Sequence, residues 1–324
     1  MADPSVPVQY RVGAILAAEA ETRFAGALAP SLGYRRRNGP VADHLVAAVA
    51  RRDGRPVGRA LGQVVPGTDV GEVLCLLVAE GERRRGVGSA LLARLEVAIA
   101  GAGCPVVQGR YRSDWVGAAA TERLLASAGW DPPVMQKLFY KGDLRAFDAL
   151  PEIRAIALPE GYTVDAWDTL TGADRAHVEA IVARDPAARA TSPFQRADLV
   201  SRDFSVWIRY RGEVVGWMAL LQPTPTVMEY SGLYVVRAHR PSRAGIAAVA
   251  AAVRRQAAAI DRHERDSGGA PGGPPRVAVF TVVPGNGPMR VFARKWIHLP
   301  EAKVTTVWLA GKRLAADGPA TPTA

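Results

Sequence analysis

The feature that most restricts how this chain can fold is a recurrence: the order of strand-like and helix-like segments in its first half returns in its second. The first half reads as a short strand near Val8–Val12 and an alanine-rich helical stretch over Ala14–Leu28. Strands His44–Arg51 and Pro56–Val65 follow, joined by the turn signal Arg52-Asp53-Gly54-Arg55. Next come an apolar run, Glu72–Val78, a charged loop with glycines, and a helix on which Leu91, Leu92, Leu95, Val97 and Ile99 make one broad apolar face. Strand Pro105–Arg110, helix Ala118–Ala128 and strand Val134–Tyr140 close the half. The second half runs through strand Tyr162–Trp167, helix Gly172–Ala183 and strands Phe204–Tyr210, Val214–Leu221 and Val227–Val236. Helix Gly245–His263, strand Val277–Val283, helix Met289–Lys295 and strand Val304–Ala310 complete it.

A repeat this long exceeds the roughly 20–50 residues of array proteins, so it marks duplication of a whole domain. With 324 residues, the chain has room for two. The expected boundaries are residues 1–150 and 151–315, with Pro151–Pro159 as linker and Asp266–Pro275 as a flexible surface loop. Residues 316–324 are expected to form a disordered tail.

Hydrophobic residues make up 48% and charged residues 22%, enough apolar material for two real cores. The alanine-rich run Gly245–Val253 is broken by Arg254 and Arg255, well short of the roughly 20 residues a membrane span needs. The start, MADPSVPVQYR, lacks the basic-then-apolar pattern of a secretory signal, so a cytoplasmic location without membrane partners is expected. Only Cys75 and Cys104 occur, in no metal-ligand spacing, and both read as small core residues; no metal is expected. The formal charge of +10 fits either an RNA or phosphate partner or an arginine-rich composition with no such role.

The chemistry concentrates in Val78-Ala79-Glu80-Gly81-Glu82-Arg83-Arg84-Arg85-Gly86-Val87-Gly88-Ser89-Ala90-Leu91-Leu92. A strand stops, a loop turns and a helix begins, so unpaired amides and the positive helix end face one small volume that suits a pyrophosphate. Glycine at 86 and 88 lets an anion approach the backbone, and Arg83, Arg84 and Arg85 supply charge at the rim. The loop has neither the lysine of a P-loop nor the glycine spacing of a dinucleotide site.

Arg83-x-x-Gly86-x-Gly88 resembles the Q/R-x-x-G-x-G/A acyl-CoA motif of the GNAT superfamily of N-acetyltransferases, and the strand order of the N-terminal half resembles that family as well. The resemblance implies an α/β (α+β) protein of two tandem GNAT domains, each a mixed, mostly antiparallel sheet flanked by helices. It implies acetyl-CoA or another acyl-CoA as co-substrate, held by Leu76 and Val78 on the strand and by Arg83, Arg84, Arg85, Gly86, Val87, Gly88 and Ser89 in the loop. Glu72, eleven residues before Arg83, stands where some GNAT histone acetyltransferases place a general base, which an ammonium nucleophile needs before it can attack. The tyrosine acid that the family often carries before a Gly-Phe pair is replaced by Leu125, in Leu125-Ala126-Ser127-Ala128-Gly129-Trp130. Tyr111 and Tyr140 are the stand-ins, and departure of the CoA thiolate without a donor is the alternative.

In the second half, Arg237-Ala238-His239-Arg240-Pro241-Ser242-Arg243-Ala244-Gly245 resembles a worn copy of the loop, with Ser242 in the place of the leading Gln or Arg and Pro241 lacking an amide. Asn286-x-x-Met289, with Phe292 and Lys295-Trp296-Ile297, resembles the late helix of tandem GNAT proteins similar to mycothiol synthase. Glu229 and His239 are candidate substrate contacts there. The expected function is acyl transfer from acyl-CoA to the amine of a small molecule. Two alternatives stand beside it: aminoacyl transfer from aminoacyl-tRNA by a Fem-like tandem GNAT fold, with tRNA as partner, and acyl-CoA binding without catalysis.

Overall fold

The computed structural model of the chain describes residues 6–15, 45–64, 68–268, 272–296 and 302–314. The strands in chain order are β1 (Gln9–Ile15), β2 (Leu45–Arg52), β3 (Arg55–Val64), β4 (Val70–Val78), β5 (Val106–Arg112), β6 (Val134–Asp143), β7 (Tyr162–Ala166), β8 (Val206–Tyr210), β9 (Glu213–Thr224), β10 (Val227–Val235), β11 (Val277–Val282) and β12 (Lys303–Arg313). The helices are α1 (Val87–Gly101), α2 (Ala118–Ser127), α3 (Leu144–Ala149), α4 (Pro151–Arg154), α5 (Gly172–Arg184), α6 (Pro186–Ala190), α7 (Ala244–Ser267) and α8 (Gly287–Trp296).

Two compact units divide the chain, and they do not meet at residue 150. One holds Met1–Gln136 together with Thr306–Ala324; the other holds Lys137–Thr305. The expected linker is therefore inside the second unit, where Pro151 starts the short α4, and most of β6 and β12 have exchanged sides relative to the sequence reading. Residues 16–28 of the expected first helix and the tail 316–324 lie outside the described residues, while Ala14 and Ile15 end β1.

In the N-terminal unit β1 to β4 form an antiparallel run, β4 and β5 are parallel, and β12 pairs antiparallel with β5 from Val307↔Arg112 to Arg313↔Val106. The β2–β3 hairpin turns on Asp53 and Gly54, both at positive φ, the pair of conformations that a tight hairpin requires. Helix α1 buries Leu91, Leu92, Leu95 and Ile99 on a floor of small residues, Ala48, Ala50 and Ala60. A Cβ at Gly58 would come within 2.9 Å of Leu91 Cδ1, so this glycine sets how closely the helix approaches.

The expected apolar face of α1 needs one correction. Val97 is exposed and Glu96 is buried, because at about 100° per residue Glu96 and not Val97 falls on the stripe of Leu92, Leu95 and Ile99. The buried carboxylate is matched: Trp130 Nε1 donates to Glu96 Oε1 at 2.7 Å, and Lys312 Nζ donates to Glu96 Oε2 at 2.7 Å and to the Ala128 carbonyl at 2.8 Å. That cluster ties the returning strand β12 to α1.

The C-terminal unit repeats the plan. Antiparallel pairs link β7, β8, β9 and β10, β10 is parallel to β11, and β6 pairs antiparallel with β11. Its hairpin again turns on two positive-φ residues, Arg211 and Gly212. Helix α7 carries the alanines read in the sequence and packs them against β8, β9 and β10, with Ala244, Ala248 and Ala252 buried beside Leu220 and Met228. Capping helix α5, Thr171 accepts from the Asp174 amide while the Asp174 carboxylate accepts from the Thr171 amide, and Arg209 grips both oxygens of Asp174 at 2.8–2.9 Å.

Two measurements test these anchors. Lys312→Ala leaves Glu96 buried with only the indole donor, and urea unfolding is expected to show a loss of about 2 kcal/mol. The Arg209 guanidinium holds the Asp174 carboxyl well below the ordinary carboxylate range. Its contribution to stability is therefore complete above the unfolded value of 3.8 and lost as pH falls toward the lower folded value. The urea midpoint of the wild type should drop through that acid range, and Asp174→Asn should flatten the drop.

Candidate functional site

Strands β4 and β5 pair only over Val70↔Val106 to Val73↔Gly109. Beyond that point β4 stays with β3 and β5 stays with β12, so the two inner edges part. A bulge marks the fork: the register with β3 jumps between Leu61↔Cys75 and Gly62↔Val73, leaving Leu74 unopposed. The expected donor residues lie along this opening. Leu76 and Val78 lean toward Gly88, with Leu76 Cδ2 and Val78 Cγ2 each 3.6 Å from where its Cβ would be.

Past Val78 the chain makes a single 3-10 turn, Glu80–Glu82, and then reaches α1 through Arg84 at φ 62 and Gly86 at φ 79. Gly86 is the residue that caps α1, and its left-handed conformation is the one glycine adopts without cost. The helix start has no capping side chain and no acid in its first turn, so its amides and its partial positive charge remain available to an anion. Arg83 Nε donates to the Val78 carbonyl at 3.2 Å, folding the arginine back over the strand end, while Arg84 and Arg85 are exposed and Ser89 stands exposed on the first turn. The Val87 side chain is 2% exposed and belongs to the core, so the backbone is what this residue offers the loop.

The loop has an anchor that the sequence reading missed. Glu82 is buried and takes a two-point grip from Arg52, Nε to Oε1 at 3.1 Å and Nη2 to Oε2 at 3.0 Å, while Arg52 also reaches the Val6 carbonyl. Arg85 lies 3.9 Å from the same carboxylate. Glu82 therefore neutralises part of the local positive charge and fixes the turn to the end of β2. In the sequence it is one more charged residue in a charged run, and nothing local marks it as buried.

Glu72 sits one residue before the last β4–β5 pair and is 3% exposed. Arg110 Nη1 donates to its Oε1, and Gln63 Nε2 donates to its Oε2 at 2.9 Å; Arg110 Nε is held by Gln136 Oε1 at 3.1 Å. The carboxylate is thus oriented from both sides. Glu72 faces Gln108 across the ladder, and Arg110, two residues further along β5, shares its face.

Of the stand-ins for the missing tyrosine, Tyr111 is buried and donates to Glu122 Oε1 at 3.2 Å, and its phenol is pushed up to about 12, by burial first and by Glu122 second. A phenol held that firmly is a poor proton donor near neutral pH. Tyr140 belongs to the C-terminal unit and stacks on Phe280 with ring centroids 4.4 Å apart. Leu125 is half-buried on α2 against the core. Burial pushes the Cys75 thiol up to about 11, so it is no nucleophile. Among the described residues no cluster of His, Cys, Asp and Glu could hold a metal ion, and no helix is long and apolar enough to cross a membrane.

The second unit carries the same frame. Strands β10 and β11 pair over Val227↔Val277 to Glu229↔Val279 and then part, and a register jump leaves Ser231 unopposed where the first unit has Leu74. A six-residue 3-10 stretch, Arg237–Ser242, follows, and α7 is capped by Arg243 at φ 67. Arg240 Nε donates to the Val235 carbonyl at 2.9 Å, as Arg83 does to Val78. This corrects the alignment of the worn loop. The leading arginine is retained as Arg240, Ser242 is an internal position, and it is Gly86 that has been replaced, by Arg243. Glu229 is buried at the counterpart of Glu72, and His239 Nδ1 is 2.7 Å from Tyr162 Oη, which gives that histidine a structural partner.

Residues 16–109 match the family described as "Acetyltransferase (GNAT) family". No curated protein sequence matches the chain. Among solved structures it is similar to the tandem GNAT protein from the clavulanic acid biosynthesis pathway, at 19% identity over 94% of this chain and 98% of that one, with TM-score 0.60. It is similar to a GCN5-related N-acetyltransferase from Sphaerobacter thermophilus at 18% identity over 95% and 96% of the two chains, with TM-score 0.57. The third is the GCN5-related glucosamine N-acetyltransferase region of a fungal multi-domain GH3 β-N-acetylglucosaminidase, at 15% identity over 96% of this chain and 39% of that chain, with TM-score 0.61. At these identities the likeness is one of fold.

The strained cap offers a direct check. Gly86→Ala places a Cβ at φ 79 with nothing within 4 Å to clash, so only the backbone is penalised, and urea unfolding should show a loss of about 1 kcal/mol.

Proposed function

Because the chain carries a GNAT acetyltransferase domain and the fold of tandem GNAT proteins, we propose that its N-terminal unit transfers an acyl group, most simply acetyl, from acyl-CoA to the amine of a small molecule. The observation that carries this reading is the fork between β4 and β5 opening beside an uncapped helix start. Acetyl-CoA is the donor this family generally uses.

In this reading the amides of Gly86–Ser89, with Arg83, Arg84 and Arg85 around them, hold the CoA pyrophosphate. The pantetheine arm lies along the free edge of β4 beside Leu76 and Val78, where its amides meet backbone groups that β5 no longer reaches. The amine attacks the thioester carbon, the C–S bond breaks and the CoA thiolate leaves, taking its proton from solvent because the described site offers it no ready acid. Glu72 is the proposed base. Arg110 orients it, and Gln63, an uncharged donor, can be displaced by the incoming amine. Most of the acceleration then comes from holding donor and amine together in the fork.

Calorimetric titration with acetyl-CoA tests the donor site. The wild type should bind, and the double variant Gly86→Glu, Gly88→Glu, which adds side chains and negative charge to the loop, should not. Absence of binding to the wild type sinks the reading, and salt-sensitive binding of aminoacyl-tRNA would then take its place. Release of free CoA thiol with a panel of amines tests turnover; affinity without turnover on any of them would make the protein an acyl-CoA binder.

A further inference from the structure

We propose that the C-terminal unit binds a small, uncharged, mainly apolar molecule in the cleft where β10 and β11 part, a ligand of a different kind from the acyl donor of the N-terminal unit. The cleft encloses a cavity of about 110 Å3, on the order of the ~150 Å3 apolar cavity that accepts a benzene ring. Its body is hydrocarbon: Val249 and Val253 from α7, Phe147 from α3, Leu233 from β10, and Met289 and Phe292 from α8.

Two properties of the lining set the ligand class. First, it contains no acid, base or guanidinium. Its one titratable group is the Tyr230 phenol, which donates to Gln256 Oε1 at 3.0 Å and which burial holds protonated. A charged ligand would enter without a counter-charge, at a large desolvation cost. Second, the polar side chains that reach the cavity, beyond the Tyr230 phenol, are few: the exposed Ser231 on the bulge, Thr281 on β11, Asn286 before α8, and Thr191, whose hydroxyl donates to the Ala187 carbonyl at 3.0 Å. Asn286 Oδ1 already accepts from the Met289 amide at 3.1 Å, which leaves its amide nitrogen as a donor. A molecule with an apolar body and a single hydroxyl or carbonyl matches that distribution.

The loop above the cleft has changed in step. Pro241 has no amide to offer, and Ser242 Oγ accepts from the Ala244 amide at 3.2 Å while donating to the His239 carbonyl at 2.6 Å. Amides that stay free of side-chain caps at the start of α1 are thus partly engaged at the start of α7, and the glycine of the cap has become Arg243. The fork has kept its apolar depth and lost much of its anion cradle.

Benzyl alcohol is the probe, titrated into the full chain carrying Gly86→Glu and Gly88→Glu and followed by saturation-transfer NMR and calorimetry. That background removes the N-terminal loop from the experiment, so the result does not depend on the acyl-transfer reading. Saturable binding is expected, and benzoate, the charged molecule of similar shape, should bind at least about tenfold more weakly, roughly 1.4 kcal/mol. Val253→Phe, which fills the cavity from α7, should weaken benzyl alcohol at least about tenfold. Ser231→Trp should do the same from the exposed rim, where a large side chain is no threat to folding. The proposal is overturned by absence of saturable binding, by unchanged affinity in both variants, or by displacement of the alcohol by acetyl-CoA, which would make the cleft a second donor site.

Discussion

Parallel strands β4 and β5 exchange hydrogen bonds for four residue pairs and then separate in the middle of a sheet, leaving two rows of backbone donors and acceptors facing a gap. Such edges are costly to leave dry, so a fork of this kind persists only where water or a ligand completes it. Each strand is held from outside, β4 by β3 and β5 by the returning β12, and the Leu74 bulge starts the divergence. The placement of α1 follows. Its start lies over the open end because Gly86 turns left-handed there, and its body stays close because Gly58 and a floor of alanines let Leu91 descend.

The C-terminal unit shows how few residues distinguish the two versions of this frame. Fork, bulge, left-handed cap and the arginine that folds back to the strand end are all present in both units. What differs is local: a glycine against Arg243, Arg84 at positive φ against Pro241, an open helix start against one touched by Ser242, and an aliphatic bulge residue against a serine. None of these changes disturbs the ladder, so the sheet is indifferent to which version it carries. The differences between the two units therefore fall in loop and bulge residues that the core does not police.

Much of this was legible in the sequence because it is local. The Asp53-Gly54 turn, the apolar run of β4 and the glycines after it each announce themselves within a few residues. What escaped notice depends on contacts between distant positions. The pairing of Glu82 with Arg52 needs the β2–β3 hairpin to be built first, and Arg110 reaches Glu72 only in one register of two parallel strands, which no local pattern fixes. Glu96 reads as a surface residue until Trp130 and Lys312 are brought to it. The exchange of β12 was invisible for a related reason: its residues read as a good strand in either unit. In the second loop Gly245 follows Ser242 at the motif's own spacing and so hides the retained Arg240, whereas the left-handed conformation of the cap belongs to Arg243.

The return of β12 to the N-terminal unit has a consequence in time. A ribosome releases β5 long before β12, with all of Lys137–Thr305 made in between, a delay of roughly 10 to 30 s at ordinary rates of synthesis. During that interval the outer edge of β5 has no partner and Glu96 has no lysine, so the N-terminal unit waits half-made while the C-terminal unit, whose strands are contiguous in the chain, can close on its own. The N-terminal unit is translated before the other and finished after it, and the edge of β5 held open for that long is where a chaperone would find it.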